Sequence, residues 1–460
     1  MKLKPLSAFI LLAMPLAGVH AAALDRSGQS ISAFLQTGNY AEIGYSDLTP
    51  EVSGRDTSGN SVPEMAEDYH FINAGLKVDI NPQISLGLLY DQPYGAAAEY
   101  QGQNNFTANG NNYALNSSIS IPNSAIGITG STNVSVESHN LTALIGFKPM
   151  TNFTVFGGAA FQSIEGEVNL RGPAYSVLSG YSAMMDSDDG VGYVLGMAFE
   201  KPEIALKAAV TYRSEIDHEL DTSETVSLPT AAFAALQGTA YKGVPAANVL
   251  ADATQKLALV NAALAQDPNN VTLLTQQAQL QGAQSLATLA QLPASGDSKT
   301  KITTPQSVNL DFQTGIMKDT LVFANMRWVD WSSFSIKPSL FAQTTGIAVT
   351  GGLNLVDYTD DQWSANVGVG RKLTPDAAAS LSVGWDSGAG NPITTLGPTE
   401  GYWNVGLGMR MNVSKAMDVS VGLKYFWLGD ADAKVSSGTK VGEFTDNNAF
   451  AFGVKMGYHF

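Results

Sequence analysis

The sequence predicts an all-β protein, a fourteen-stranded antiparallel transmembrane β-barrel with a helical insertion in one extracellular loop. Two patterns carry this prediction. Segments that alternate bulky apolar residues with small or polar ones recur along the chain, and the connections between them are alternately short and long. A strand in a barrel wall presents one face to lipid and the other to the lumen, which produces the first pattern.

The last strand shows the alternation most clearly. Residues 449–460 place Phe450, Phe452 and Met456 on one face, and Ala451 and Lys455 on the other. The apolar face is expected to contact lipid and the small and polar face to line the lumen. A soluble edge strand with one buried face is the alternative for this segment taken alone.

Fourteen such segments are predicted along the chain. They span residues 39–52, 68–79, 84–94, 133–148, 153–170, 188–201, 204–219, 303–317, 319–331, 362–373, 377–387, 401–413, 416–425 and 449–460. Six tight turns at one rim and seven long loops at the other, with both termini on the short-turn side, are typical of an outer-membrane barrel. Tyr425, Trp427, Trp403, Trp328 and Trp331 lie near strand ends, where an aromatic girdle is expected.

Composition and the N-terminus agree with export to a membrane. Lys2 and Lys4 precede the apolar run 6–16 and the small residues 21–23, so residues 1–22 are predicted to be a secretory signal peptide. The chain contains no cysteine and carries a formal charge of -16, which argues against a nucleic-acid partner. The rest of the chain offers no stretch of about 18 consecutive apolar residues, so no membrane-spanning helix is expected. No cofactor or metal site is predicted.

Residues 223–300 differ in composition from the rest of the chain, because they are rich in Ala, Gln and Leu and poor in charge. Two helical stretches are predicted there, separated by residues 267–270, with Asn270 as the N-cap of the second. We expect a helical hairpin over the mouth of the barrel. It is either a packing insert or a surface that captures ligand.

Several short motifs resemble the FadL family of outer-membrane transporters for long-chain fatty acids and other hydrophobic compounds. They lie, in the family's order and spacing, at residues 94–95, 99–100, 211–215, 305–308, 328–334 and 385–387 and in the terminal strand. The resemblance implies a hatch in the lumen, formed here by residues 23–38, and a barrel over residues 39–460. It also implies passive uptake of fatty acids or other hydrophobic molecules by a monomer in contact with lipopolysaccharide in the outer membrane of a Gram-negative cell.

The chain departs from the family at two positions. The Asn-Pro-Ala motif usual in the hatch is absent between Leu24 and Tyr40, and a basic residue that helps hold the ligand carboxylate falls on Leu355. Other cations are therefore candidates for holding a carboxylate, since a guanidinium can clamp it with two parallel hydrogen bonds. These candidates are Arg171, Arg213, Arg327 and Lys337, although an ion-pair ladder inside the barrel would explain them equally well.

The third strand is predicted to be interrupted. Pro93 has no N–H to donate to the ladder, and a closed barrel has no free edge, so it requires a bulge, a gap or a strand end. The family resemblance implies that a kink here opens the wall, with Gln92, Pro93, Tyr94 and Gly95 as a lateral gate. The simpler alternative is that the strand ends at the rim.

Other functions were weighed against transport of hydrophobic molecules. Beyond the signal peptide the chain contains His70, His139, His218 and His459, none in a recognisable nucleophile motif, so no catalytic residue is assigned. The cluster Glu215, Asp217, His218, Glu219 and Asp221 is expected to be a solvated acidic rim able to bind divalent cations. A general porin for hydrophilic solutes, a channel for aromatic hydrocarbons and an adhesin-like barrel stay open as alternatives.

Overall fold

The computed structural model describes residues 24–116 and 119–460. The predicted signal peptide, residues 1–22, lies outside these described residues. Fourteen antiparallel strands form a barrel that closes where the first strand pairs with the last, from Tyr40 opposite His459 to Glu51 opposite Asn448. The predicted fold is therefore confirmed.

The strands are defined as follows. They are β1 Tyr40–Glu51, β2 Tyr69–Asn81, β3 Ile84–Asp91 and Gly95–Glu99, β4 Asn133–Met150, β5 Phe153–Leu170, β6 Tyr181–Lys201, β7 Leu206–Arg213 and Ile216–Thr225, β8 Ser295–Thr304 and Ser307–Met317, β9 Thr320–Val329, β10 Gln362–Lys372, β11 Ala377–Asp386, β12 Tyr402–Asn412, β13 Met417–Leu428 and β14 Asn448–His459.

Helices and short strands lie in the long loops. The helices are α1 Leu228–Gln237, α2 Ala246–Leu264, α3 Val271–Leu289 and α4 Ser339–Thr345, and the 3₁₀ turns are Asn123–Ala125, Pro173–Leu178, Pro202–Ile204 and Trp331–Ser333. The short strands are Gly54–Asp56, Ser61–Val62, Asn112–Asn116, Ile119–Pro122, Ser335–Ile336, Val356–Asp357, Ile393–Thr394, Ala431–Lys434 and Lys440–Phe444. None of the helices in the described ranges is both long and apolar enough to cross a membrane.

The wall strands alternate as predicted. On β14, Phe450, Phe452 and Met456 are exposed on the outer face, whereas Ala451 and Lys455 are buried in the lumen. Trp403 and Trp427 are exposed in the expected girdle. Trp331 was predicted to join that girdle, and this is wrong, because its side chain is fully buried among the aromatic residues of the extracellular loops.

Strands β6, β7 and β8 reach further outward than the sequence indicated. β6 begins at Tyr181 instead of residue 188, and β7 and β8 continue to Thr225 and from Ser295. Their outer faces in this region are charged: Asp217 lies 3.2 Å from the Lys301 ammonium. These extensions therefore stand above the membrane, and they lack the bulky apolar face that identified the other strands.

The insertion between β7 and β8 contains three helices. The side chain of Asn270 accepts a hydrogen bond from the Leu273 amide at 3.1 Å and caps α3, as predicted. The apolar faces of the helices pack on one another and on the paired short strands Asn112–Asn116 and Ile119–Pro122 of the loop between β3 and β4. Leu259 and Val271, close to the turn between α2 and α3, are exposed.

Candidate functional site: a hatch, an apolar chamber and a gap in the wall

Residues 24–38, which the sequence predicts to be a hatch, lie inside the barrel, and a buried ion pair fixes the beginning of this segment. The Arg327 guanidinium on β9 donates from Nε to Oδ2 of Asp25 at 2.7 Å, and both side chains are almost completely buried. The same guanidinium donates to the side chains of Gln29 at 3.1 Å and Asn309 at 2.7 Å. One wall arginine therefore holds two hatch side chains.

Three further wall cations hold the backbone of the hatch. Arg213 donates to the carbonyl oxygen of Gln29 at 3.0 Å, and Lys77 donates to those of Gln36 and Gly38 at 2.9 and 3.0 Å. The Lys207 ammonium donates to the carbonyl oxygen of Leu35. These charge-assisted bonds add to apolar packing, since Ile31, Phe34 and Leu35 of the segment are buried in one cluster with side chains of the wall.

An apolar chamber of about 1180 Å³, counted to its open mouth, lies between the start of the hatch and the extracellular loops. Its walls come from the outer halves of the strands and from the loops that fold over them. The lining includes Leu24, Leu48, Val52, Met65, Val134, Val136, Ile164, Val168, Met185, Leu220, Ile302, Phe334, Ile336, Leu355, Tyr358, Leu396 and Leu428. A large, mostly apolar concave site with few polar groups is what a hydrophobic ligand requires.

The barrel wall is interrupted between β2 and β3 beside this chamber. β2 pairs with β3 only as far as Ala74 opposite Tyr90. The second segment of β3, Gly95–Glu99, pairs with β4 and also with residues 65–67 before β2, where the Glu67 amide donates to the Ala97 carbonyl at 3.1 Å, so the gap is limited to the stretch between Tyr90 and Ala97. Three residues, 92–94, separate the two segments of β3, whereas two residues separate their partners on β4. The break predicted at Pro93 is thus confirmed as a bulge with a gap beside it.

The hatch covers the inner side of this gap. Its residues 24–26 run antiparallel to 93–95, with bonds from the Arg26 amide to the Pro93 carbonyl at 2.8 Å and from the Gly95 amide to the Leu24 carbonyl at 2.9 Å. Within the gap, each hydrogen bond between β2 and β3 uses a side chain on one of its two partners. The Ile72 amide donates to Gln92 Oε1 at 3.0 Å, and the Ala97 amide donates to the Tyr69 hydroxyl at 3.1 Å.

Two tyrosine–histidine pairs flank the gap on the outer face. The Tyr45 hydroxyl lies 3.1 Å from Nδ1 of His70 on one side, and the Tyr90 hydroxyl lies 2.8 Å from Nδ1 of His139 on the other. The rings of each pair are stacked. Amphipathic aromatic side chains of this kind lie at the membrane–water interface, so the gap is at the outer head-group level.

The family described as "Outer membrane protein transport protein (OMPP1/FadL/TodX)" matches residues 31–460. The chain belongs to this family. A Pseudomonas aeruginosa FadL homologue shares the fold at 15% identity, with a TM-score of 0.61 and 96% of each chain covered. The toluene transporter TodX of P. putida shares it at 12% identity, with a TM-score of 0.54 and coverage of 93% of this chain and 91% of TodX. The Ralstonia pickettii toluene transporter TbuX also shares it, at 10% identity and a TM-score of 0.54, with 98% and 99% covered. None of the curated protein sequences matches the chain. Membership of this family places the protein in the outer membrane.

The structure locates the four cations that were predicted to bind a ligand carboxylate. Arg213 and Arg327 point into the lumen as predicted, but their guanidinium groups bind the hatch. Arg171 donates to the carbonyl oxygen of Tyr181 at 2.6 Å and to the Ser182 hydroxyl at 2.8 Å, so it ties β5 to β6 at the rim. Lys337 is exposed. The structure does not bring the four together, and binding of ligand by them stays a prediction.

Arg26 is a cation beside the chamber that the sequence pattern did not indicate as a candidate for binding ligand. It lines the chamber at the gap, its guanidinium carbon lies 3.9 Å from the centre of the Tyr69 ring, and its buried Nε has no hydrogen-bond partner in the described structure. Burial lowers the pKa of Arg26, and Tyr69 and Glu137 oppose that shift. Arginine keeps its proton even so, which makes this an incompletely neutralised cation.

The acidic cluster at 215–221 does not converge on one point. Asp217, Glu219 and Asp221 face outward, whereas His218 points into the barrel and lies 3.2 Å from Oε1 of Gln162. Lys299 and Lys301 pair with two of the outer carboxylates. Within residues 24–116 and 119–460, no group of His, Asp and Glu side chains is arranged to hold a metal ion.

Proposed function

We propose that the protein carries hydrophobic molecules, long-chain fatty acids among them, passively across the outer membrane's outer leaflet. The substrate enters the apolar chamber from outside and leaves sideways through the gap between β2 and β3. The observation that supports this route is the continuity of the chamber with the gap: Tyr69, Gly95 and Ala97 line both.

Sideways release follows from the cost of the alternative. Returning each methylene of a buried alkyl chain to water costs about 0.8 kcal/mol, so a long chain is not expected to cross an aqueous lumen. The hatch also lies in the lumen below the chamber, where wall cations hold it at several points. In this proposal Gln92, Pro93, Tyr94 and Gly95 form one edge of the exit, and residues 24–26 of the hatch move aside.

The route is tested by a removable cross-link. Because the chain contains no cysteine, Gln92→Cys with Ile72→Cys introduces a unique pair across the gap. We expect the oxidised variant to lose uptake of radiolabelled oleate and a reducing agent to restore it. Leu88→Cys with Ala143→Cys, which joins strands already paired, is the matched control and should transport in both states.

Normal uptake by the oxidised 72–92 variant would contradict lateral release. Single-channel recording separates the proposal from the porin alternative, because a hatch-filled barrel should show little conductance in planar bilayers. Large and steady conductance of the wild-type protein would instead favour a channel for hydrophilic solutes.

A further inference from the structure

The side chain of Arg26 passes through the wall. Gly95 lies opposite Glu137, which is exposed on the outer face, and directly opposed residues of an antiparallel pair point to the same face. A side chain at position 95 would therefore point outward, and its Cβ would overlap Cζ of Arg26. The guanidinium thus occupies the outer-face position that the absent Gly95 side chain leaves free.

In this position the guanidinium closes the gap. The Tyr69 ring covers it from β2, and the Tyr69 hydroxyl both donates to the Ala97 carbonyl at 3.2 Å and accepts from the Ala97 amide at 3.1 Å. Tyr69 and Arg26 together fill the space that a strand pairing would fill elsewhere in the wall. The contact between them is a cation–π contact, which is worth less than a buried ion pair and is easier to exchange for another partner.

The guanidinium is also available to a ligand. Asp25, its neighbour in the chain, pairs with Arg327, and none of the ion pairs among the described residues includes Arg26. Its Nε–H is buried without an acceptor. A planar guanidinium with an unsatisfied Nε–H and a ring contact that can be exchanged fits a carboxylate.

The depth of the site in the membrane favours the same ligand. The gap lies between Tyr45–His70 and Tyr90–His139, at the head-group level. A fatty acid that enters the bilayer leaves its carboxylate at this level and its tail in the hydrocarbon core. Arg26 therefore lies where the head group of such a substrate passes, beside the chamber that would hold the tail.

We propose that Arg26 determines substrate class at the lateral opening: it binds the carboxylate of a long-chain amphiphile and gives up its contact with Tyr69 as the wall opens. This inference rests on the lateral route proposed above and adds to it a group that speeds the passage of anionic amphiphiles. Neutral hydrocarbons and alcohols of the same length are expected to pass without using Arg26.

The test compares two probes of matched length, radiolabelled oleate and oleyl alcohol, in cells that express each variant. Arg26→Met should lower the initial rate of oleate uptake at sub-saturating concentration by about tenfold to a hundredfold, the range expected for losing a hydrogen bond to a charged group. Uptake of oleyl alcohol should stay at the wild-type rate. Arg26→Lys keeps the charge without the planar fork and should restore part of the oleate rate.

A second variant reaches the same group without changing Arg26. The methyl group of Gly95→Ala would occupy the place of the guanidinium and displace it, and the barrel should still assemble because the atoms displaced belong to the end of a flexible side chain. This variant should show the same selective loss of oleate uptake. Heat-modifiable migration in detergent gels checks assembly of every variant.

The outcomes separate the two proposals. Equal losses for both probes, or unchanged oleate uptake in both Arg26→Met and Gly95→Ala, would overturn the role of Arg26 and leave the lateral route standing. Wild-type protein that carries oleyl alcohol and not oleate would overturn the carboxylate selectivity. Wild-type protein that carries neither probe would overturn the proposed function itself.

Discussion

The ion pair between Asp25 and Arg327 should control how often the hatch opens. Arg327→Met leaves the Asp25 carboxylate, whose side chain is 1% exposed, without its cation. Removing one partner of a buried ion pair costs about 3–5 kcal/mol. Because about 1.4 kcal/mol is a tenfold change in an equilibrium, the open population of the hatch should rise by at least about two orders of magnitude. The remaining anchors, Lys77, Lys207 and Arg213, keep the closed hatch the major state.

A single thiol in the hatch measures this population. Gln36→Cys places a buried cysteine in a chain that otherwise has none. Labelling by a maleimide requires opening of the hatch, so its rate follows the open population when closing is fast. The rate in Arg327→Met should exceed the Gln36→Cys reference about a hundredfold. Asp25→Asn combined with Arg327→Met should recover part of the difference, since no unpaired charge stays buried.

Arg410→Met is the matched control. It removes another buried wall cation, which pairs with Asp418 at 2.9 Å between β12 and β13. Its labelling rate should equal that of the reference. A rate in Arg327→Met within twofold of the reference would refute the reasoning, because the ion pair would then contribute nothing to closure of the hatch.

Three other predictions concern the extracellular loops. Glu224 accepts hydrogen bonds from the amides of Leu340 and Phe341, each at 2.8 Å, and from the Tyr181 hydroxyl at 3.0 Å. Glu224→Ala should therefore leave these buried donors unsatisfied, at a cost of about 1–3 kcal/mol each, and speed proteolysis of the loop that carries α4. Helices α2 and α3 contribute no lining residue to the chamber. Replacing residues 246–289 by a short Gly-Ser linker should therefore keep oleate uptake within about twofold of wild type. A clear loss of oleate uptake would instead indicate that these helices capture dilute substrate. Burial raises the pKa of the Glu400 carboxyl above its ordinary 4.5. The stability that this group contributes is therefore complete below pH 4.5 and is lost as the pH rises through the pKa of the folded protein. Glu400→Gln should slow hydrogen exchange of the loop 387–401 at pH 8 and change it little at pH 4.

The fold was predictable wherever a strand crosses lipid, because the bilayer imposes an apolar outer face on every second residue. The same rule failed on β6–β8 above the membrane, where the outer face is charged. It also misplaced Trp331, which follows β9 in a 3₁₀ turn and is buried under the extracellular loops. Pro93 marked the gap in the wall by itself, since proline lacks the donor that a ladder needs. The alternation of residues correctly predicted that Arg213 and Arg327 point into the lumen. It could not predict that their guanidinium groups bind residues 24–38 there. Arg26 lies in a segment without strand periodicity. The observation that singles it out is its contact with Gly95, and a pattern within a short stretch of sequence cannot show a contact between residues so far apart in the chain.

The way in which the wall holds residues 24–38 affects which amino-acid sequences this segment can have. Lys77, Lys207 and Arg213 bind carbonyl oxygens, and Asn309 also donates to the carbonyl oxygen of Gly28 at 2.8 Å. Every amino acid supplies such an oxygen, so these bonds hold the backbone of the segment whatever its side chains are. The described part of this segment places two side chains, those of Asp25 and Gln29, on a cation of the wall, and both accept from Arg327. A barrel built in this way tolerates the loss of the Asn-Pro-Ala motif, and it invites the insertion of new hatch sequences that change what passes while the barrel stays the same.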